Sequence, residues 1–267
     1  MKRLIACAAL LTLTLVPLAS AQDGPGPITW IAFDKSAPGK SRDLIGMTIK
    51  DDGPMYDGLL KDGTLLSWGI GIPINHRLDD TWNFVLWATM ADWGKVGGLQ
   101  AGFEKMFASR TPEQMMAMQK AYQEASVEGA HHDWIVRQNV YRQNSGDRMP
   151  RYLDLSYYSA KPGMEQAMTE FFKNNIAPIN EKLLADGIIT GYGLYTQELH
   201  GEPGWTHVAW TALADLGDRD RADAYFWENF SDAQMAEGMS LMDWSAHKDQ
   251  ILLIVHLGGT GMQEPKQ

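Results

Sequence analysis

The chain has 267 residues, with 33 acidic against 23 basic side chains and a formal net charge of −10. The acidic residues are dispersed and no basic stripe interrupts them, which argues against binding to nucleic acid or to an anionic membrane surface. The one cysteine, Cys7, lies near the N-terminus, so the rest of the chain offers no disulfide, thiol nucleophile or thiolate metal site.

The first 21 residues read as a signal peptide. Lys2-Arg3 is a basic start, Leu4 to Leu18 is an apolar run too short to remain as a spanning helix, and Ala19-Ser20-Ala21 is a small-residue cleavage site. Cleavage after Ala21 leaves a chain starting at Gln22, and loss of Lys2 and Arg3 takes the net charge from −10 to −12. The expected location is the periplasm or the medium.

From Gln22 to Pro27 the chain is a Gly/Pro arm. Ile28 to Phe33 predicts a strand, closed by the turn at Pro38-Gly39. Lys40 to Lys61 predicts a helix interrupted at Gly53-Pro54, because proline lacks a backbone donor and crowds the preceding turn. Asp62-Gly63 stops it. Thr64 to Ile72 and Trp82 to Met90 predict strands joined by a hairpin containing His76. A helix over Gly97 to Phe107 follows. Thr111-Pro112-Glu113-Gln114 is a capping box opening the next helix, with Met115, Met118 and Tyr122 on its buried side. Ala130-His131-His132-Asp133 leads into a strand over Trp134 to Tyr141.

Nearly everything then recurs. Pro38 to Trp68 matches Pro162 to Tyr192 at a constant offset of 124. Trp82 to Phe107 matches Trp205 to Phe230 at 123, with one residue lost in the intervening hairpin, which in the second copy holds His200. Pro54 answers to Pro178, Asp62-Gly63 to Asp186-Gly187, Trp87 to Trp210, and the capping box to Ser231-Asp232-Ala233-Gln234. A fixed offset carried by Pro, Gly and Trp indicates duplication. In the second copy the expected elements are a helix from Met164 past Pro178, strands over Ile188 to Tyr195 and Trp205 to Leu213, and a helix over Asp220 to Phe230. A capped helix with Met235, Met239 and Met242 inward and a strand over Ile251 to Leu257 complete it. Residues 142–150 are polar and turn-rich and read as the linker; residues 258–267 read as a flexible tail.

Each half therefore has the βαββαβ order of a ferredoxin-like unit, 22–141 and 151–257, in the α+β class. With its helix ending Leu-Leu-x-Asp-Gly before an aromatic-Gly strand, the chain resembles the dimeric α+β barrel superfamily, which includes antibiotic-biosynthesis monooxygenase-like, stress-responsive barrel and NIPSNAP-like proteins. The resemblance implies two four-stranded sheets facing one another in one barrel with helices outside. Here both halves lie on one chain, so the barrel is expected to close as an intramolecular pseudo-dimer, as a monomer or within a homo-oligomer. The superfamily holds oxygenases, haem enzymes and proteins without known activity, so the resemblance fixes no reaction.

Candidate site residues come from the differences between the halves. His207 stands where the first half has Phe84, and Tyr192 where it has Trp68. On a strict alternation Trp205, His207, Ala209 and Thr211 share one face. Bulkier side chains fill the first cavity, so a small apolar or aromatic ligand is expected in the second half. Tyr192, Trp205 and Trp210 would supply ring contacts there, His207 the catalytic or orienting imidazole, and His247 a place near the mouth. His131 and His247 hold equivalent places before the last strands, where bonding to Asp133 or Asp249 is the alternative, structural role. Arg137, Asn139 and Tyr141 form a polar face where the second half has Leu253, Val255 and Leu257. Adjacent His131 and His132 point to opposite faces of a strand and seldom share an ion, so no metal site is expected. There is no phosphate loop, serine elbow or His-Glu-x-x-His, and no cofactor is expected. Two functions fit: a small-molecule-binding, cofactor-free oxygenase-like protein, or a non-catalytic exported barrel whose Trp and Met fill cores. A haem-binding enzyme is a weaker third, since no histidine is marked as an axial ligand.

Overall fold

The structure, a computed structural model, describes residues 25–75, 81–143, 148–199 and 204–259. The expected signal peptide, His76 and His200, the middle of the linker and the last eight residues lie outside these.

The elements run β1 (Ile28–Asp34), α1 (Ser41–Met47), α2 (Gly53–Lys61), β2 (Ser67–Pro73), β3 (Phe84–Met90), α3 (Trp93–Ala108), α4 (Pro112–Ala125) and β4 (His132–Gln143). The same order follows as β5 (Tyr152–Ala160), α5 (Glu165–Phe171), α6 (Ala177–Ala185), β6 (Gly191–Gln197), β7 (His207–Leu213), α7 (Gly217–Asn229), α8 (Asp232–Leu241) and β8 (Met242–Gly259). All strand pairs are antiparallel, and the eight strands close a barrel in the order β1-β3-β2-β8-β5-β7-β6-β4.

The helix interruptions have a local cause. A π-helical turn over Thr48–Asp52 joins α1 to α2, and another over Phe172–Ile176 joins α5 to α6. Pro54 and Pro178 sit in the first turn after each. The register slips just before the missing donor: Gly53 N–H reaches Thr48 O, and Ala177 N–H reaches Phe172 O. Gly63 (φ 77) and Gly187 (φ 68) end α2 and α6 in the left-handed region. Beyond them, Thr64 and Leu65 N–H bond Leu59 O, and Ile188 N–H bonds Leu183 O. Those residues finish a helix instead of starting a strand, which is why β2 and β6 begin three residues later than expected. Both capping boxes form.

Most of the strand length is covered on two faces, the first part of β8 excepted, where Asp243, Trp244, Ser245, Lys248 and Asp249 are exposed. Inward side chains, among them Phe33, Val136, Leu155, Tyr157 and Trp210, fill the barrel. Outward side chains pack under helices, with Leu44, Tyr56, Trp68, Phe84 and Leu86 in one layer and Phe172, Leu183, Tyr192, Leu194 and Leu213 in the other. Met239, expected inward, is 48% exposed, and Gly238 takes the buried place on α8 against the Phe171 ring. The glycine after each strand aromatic has a steric reason. A Cβ on Gly69 would collide with the Trp87 indole, and one on Gly193 would lie 2.6 Å from both Trp210 Nε1 and Val140 O. The rings lie across the bare backbone.

β8 is the longest strand because the end of β5 keeps pairing with it: Ser159 faces Asp243 and Ala160 faces Met242. It takes in Ala246 to Asp249, upstream of the expected strand, and also Gly258 and Gly259, which pair with Trp68 and Ser67 on β2. Bulges break the register of β4 at Gln138–Val140 and of β8 at Ile254–His256. They turn Tyr141 and Leu257 inward although Arg137 and Leu253 face out. The expected Arg137-Asn139-Tyr141 face is therefore split. Arg137 binds Glu198, with Nε to Oε2 at 2.7 Å, and Gly26 O at 2.9 Å. Asn139 donates to Thr196 Oγ1, and Tyr141 OH donates to Gln143 Oε1 across the lumen wall.

His207 is a tie between β7 and α5. Its ring is fully buried. Nε2 lies 3.1 Å from Glu165 O and 3.0 Å from Thr169 Oγ1, and Nδ1 lies 2.7 Å from Thr206 Oγ1. The consistent assignment is a neutral ring donating from Nε2 and accepting the Thr206 hydroxyl at Nδ1. Burial drives its pKa down to about 4.

Two measurements follow from these packing constraints. Gly193→Ala should lower unfolding stability by about 1–3 kcal/mol through overpacking, read as a lower denaturant midpoint at unchanged slope. For His207 the folded ring stays neutral where the unfolded one protonates, so the unfolded state binds more protons between pH 6.5 and about 4. Stability should fall by about 3 kcal/mol as pH drops through that window, and His207→Gln should flatten that part of the profile.

Candidate functional site

Three cavities with different chemistry are open to a ligand: the barrel lumen, a groove on its outer face, and an open depression of about 880 Å³ beside α5, lined by Glu165, Thr169, Trp205, Thr206 and His207. The barrel lumen encloses about 100 Å³. Its wall is aromatic and aliphatic, with Ser67, Thr89, Gln138 and Gln143 as polar points and no charged side chain among its lining residues.

The second cavity is a groove of about 470 Å³ on the outer face of β5, β7 and β8, under α5 to α8. That volume is within the range of small-molecule sites. Phe226, Trp227, Phe230 and Trp244 form its aromatic side; Trp227 is 61% and Trp244 41% exposed at the rim. Asp154, Arg219, Asp223, His247 and Asp249 supply charge.

The groove exists because of what replaces the first half's filling. The pair Trp68–Ala88 on β2–β3 has the register of Tyr192–Thr211 on β6–β7, and Trp30–Ala88 on β1–β3 that of Asp154–Thr211 on β5–β7. In the same register Leu86 corresponds to Ala209. Trp30 and Leu86 both pack into the first half's layer. Their counterparts are a carboxylate and a methyl group, which opens space and makes it polar. α8 is also shorter than α4, ten residues against fourteen.

Asp154 carries the sharpest electrostatic feature. Its Oδ2 accepts from Arg219 Nε at 2.7 Å, while Oδ1 is buried with no hydrogen-bond partner among the described residues. Burial raises its pKa above the ordinary carboxylate value, and Arg219 only partly offsets this. An unmet buried acceptor costs about 1–3 kcal/mol. Nearby, Ser156 Oγ donates to Asp249 Oδ1 at 2.6 Å, and burial lifts Tyr158 to about 12.

The expected site residues are dispersed. Trp205 and Trp210 line the lumen. Tyr192 is buried below α6, its hydroxyl donating to Glu181 Oε1 at 2.7 Å, and lines none of the three cavities. His207 is the β7–α5 tie, and it also borders, beside Trp205, the open depression next to α5. Trp205 precedes the β7 ladder, and strand alternation does not reach it. His247 enters the groove from within β8, and Trp210, which lines the lumen, borders the groove as well. Its Nδ1 lies 3.1 Å from Tyr157 O and its Nε2 3.3 Å from Asp249, and its ring stacks on Tyr158 at 4.9 Å. His131 sits on the surface between Asp133 and Asp34, which push its pKa up to about 10. No group of three or more His, Cys, Asp or Glu among the described residues could hold a metal ion. Among the same residues no helix is long and apolar enough to cross a membrane. Sequence reasoning missed Asp154, Ala209 and Arg219; comparison of Trp30 with Asp154 and Leu86 with Ala209 at the repeat offsets was the available signal.

No family model and no curated protein matches the sequence. The fold does match solved structures. A presumed monooxygenase from Lactobacillus acidophilus NCFM superposes with a TM-score of 0.61 at 12% identity, covering 88% of this chain and 97% of that one. A second presumed monooxygenase, from Fusobacterium nucleatum subsp. nucleatum, gives 0.60 at 11%, covering 91% and 99%. An anthrone oxidase-like protein gives 0.52 at 9%, covering 90% and 95%. At such identities the likeness speaks for architecture alone: eight antiparallel strands closed into one barrel with helices outside, which is compatible with a dimeric α+β barrel fold.

Proposed function

We propose that this protein binds a small aromatic molecule bearing a hydrogen-bond donor in the groove beneath α5 to α8, and oxidises it without a cofactor. The carrying observation is Asp154. Its partnerless Oδ1 lies in a groove with an aromatic wall, where it can accept a ligand's O–H or N–H. Rings on Phe226, Phe230, Trp227 and Trp244 supply the apolar contact. A buried carboxylate of raised pKa is also suited to take the proton whose removal makes an electron-rich anion that oxygen attacks. For an anthrone the balance is simple: the CH2 carbon loses two hydrogens and gains one oxygen atom from O2, and the other oxygen leaves as water. The names of the monooxygenase and anthrone oxidase-like neighbours support this reading of the reaction.

Haem fits less well. An axial imidazole needs a ring nitrogen turned into the cavity and free of protein partners, and both nitrogens of His207 and of His247 are engaged. Two further parts of the reading rest on sequence. The signal-like N-terminus supports export to the periplasm. The constant offsets, with the matched strand orders β4-β1-β3-β2 and β8-β5-β7-β6, support a tandem duplication closed as a pseudo-dimer.

Calorimetric titration with 1-naphthol should give saturable binding of one molecule, in the micromolar range for a ligand of this size. Ala209→Leu, which restores the first half's bulk, should weaken it by about tenfold or more while the fold, read by circular dichroism, is unchanged. Equal binding by the variant would leave the core-filling alternative standing. Oxygen uptake with anthrone separates binding from reaction: Asp154→Asn should still bind 1-naphthol and lose roughly 100-fold in rate. Protein recovered from the periplasm of an expressing bacterium should begin at Gln22 by N-terminal sequencing.

A further inference from the structure

The lumen holds a polar system that the groove does not use. Gln138, on β4, is 3% exposed and points into the barrel. Its Nε2 donates to Thr29 Oγ1 at 3.1 Å, and Thr29 Oγ1 lies 3.1 Å from Thr89 Oγ1. This buried chain links three strands and ends on Gln138 Oε1, which has no partner among the described residues. Around the same lumen the indole N–H groups of Trp134, Trp205 and Trp210 are buried and equally without a partner among those residues. Trp205 is 8% and Trp210 6% exposed, so bulk water does not serve them. One acceptor and three donors thus border an uncharged interior whose other polar lining is Ser67, Thr89, Gln143 and the hydroxyls of Tyr141, Tyr157 and Tyr195.

A barrel that needed only packing would place Leu or Phe at these positions. Trp and Gln are costly inside a barrel unless something meets their polar atoms. The lining carries no charged side chain, so a charged guest would be buried without a counter-charge and is excluded. Size narrows the class further. A cavity of ~150 Å³ takes benzene, about 25 Å³ for each carbon, so about 100 Å³ takes about four non-hydrogen atoms.

We propose that the lumen is a second binding site, for a small neutral molecule that joins a carbonyl-type acceptor to an N–H or O–H donor. The acceptor meets indole N–H, and the donor meets Gln138 Oε1. Primary amides and short hydroxy-carbonyl compounds have this pattern. The site differs from the groove: strands β5 and β7 stand between them, only Trp210 borders both, and the groove's charged residues are absent from the lumen lining, so Trp205 reports on the lumen and not on the groove.

The chain has ten tryptophans, and their indole N–H signals can be followed individually by nitrogen-15 NMR after assignment with single Trp→Phe variants. Acetamide is the probe. Titration should shift the Trp205 and Trp210 indole signals along a saturating curve in the millimolar range, leaving Trp227 and Trp244 in place. Gln138→Leu should weaken binding about tenfold, and Trp210→Phe, which keeps an apolar ring, should weaken it as well. Ala209→Leu, the groove variant, should leave the lumen response unchanged, so failure of the groove reading and failure of this one are distinguishable. The proposal is overturned if the shifts do not saturate, or if they follow Trp227 and Trp244. It is also overturned if the lumen indoles show cross-relaxation with water and acetamide leaves them unmoved, since the lumen is then a hydration site only.

Discussion

A closed barrel with helices on its outside covers both faces along most of its strand length, and the rest of this structure depends on that constraint. An inward residue meets other rings across the lumen; an outward one meets a helix. Neither face can be polar at low cost, so a buried polar atom either has a partner built in or, like Asp154 Oδ1 and Gln138 Oε1, borders a cavity. His207 shows this on the outer side, where Glu165 O, Thr169 and Thr206 surround its ring. On the inner side Thr29, Thr89 and Gln138 bond one another. Space is also short, and Gly69 and Gly193 relieve it by letting the indoles of Trp87 and Trp210 lie over bare backbone.

The same constraint decides what the sequence could reveal. Local chemistry was legible. Pro54 and Pro178 break their helices at matched places, Asp-Gly ends both, and Thr111 and Ser231 cap the next ones, because each effect needs only neighbours in the chain. Facing was not legible in the same way. When both faces are apolar, alternation of polarity vanishes and only counting from a fixed residue assigns a face. Counting failed at Trp205, which lies outside the ladder, and at Tyr141, which lies beyond a bulge. A bulge has no strong sequence mark; its sign here was that Arg and Asn precede an inward Tyr on the same strand.

The candidate site was half legible. Divergence between the copies pointed to the second half, and the groove does lie there. The residues chosen were those of greatest chemical contrast, Phe84 against His207 and Trp68 against Tyr192. Contrast in chemistry does not measure space, although His207 does border the open depression beside α5. Volume lost is what opens a cavity, and the large losses are Trp30 to Asp154 and Leu86 to Ala209. His207 and Tyr192 kept enough bulk, and enough hydrogen bonds, to remain part of the wall.

His131 and His247 show how one repeated feature takes two roles. Each ring lies near the Asp two residues on, with His131 Nε2 3.4 Å from Asp133 and His247 Nε2 3.3 Å from Asp249. The difference comes from β1 and β5. Asp34 gives His131 a second carboxylate, at 3.1 Å, and the group becomes a surface ion pair. At the register position of Asp34, β5 has Tyr158: Asp34 faces Phe84 on β3 as Tyr158 faces His207 on β7. The carboxylate is replaced by a ring that stacks on His247, and a backbone carbonyl takes its Nδ1. Exchange of one carboxylate for one phenol thus moves the imidazole from a solvated salt link to the wall of an aromatic groove. There it lies beside Asp249 on the groove's lining. The two histidines hold matching places before Asp133 and Asp249, and their surroundings set what each can do.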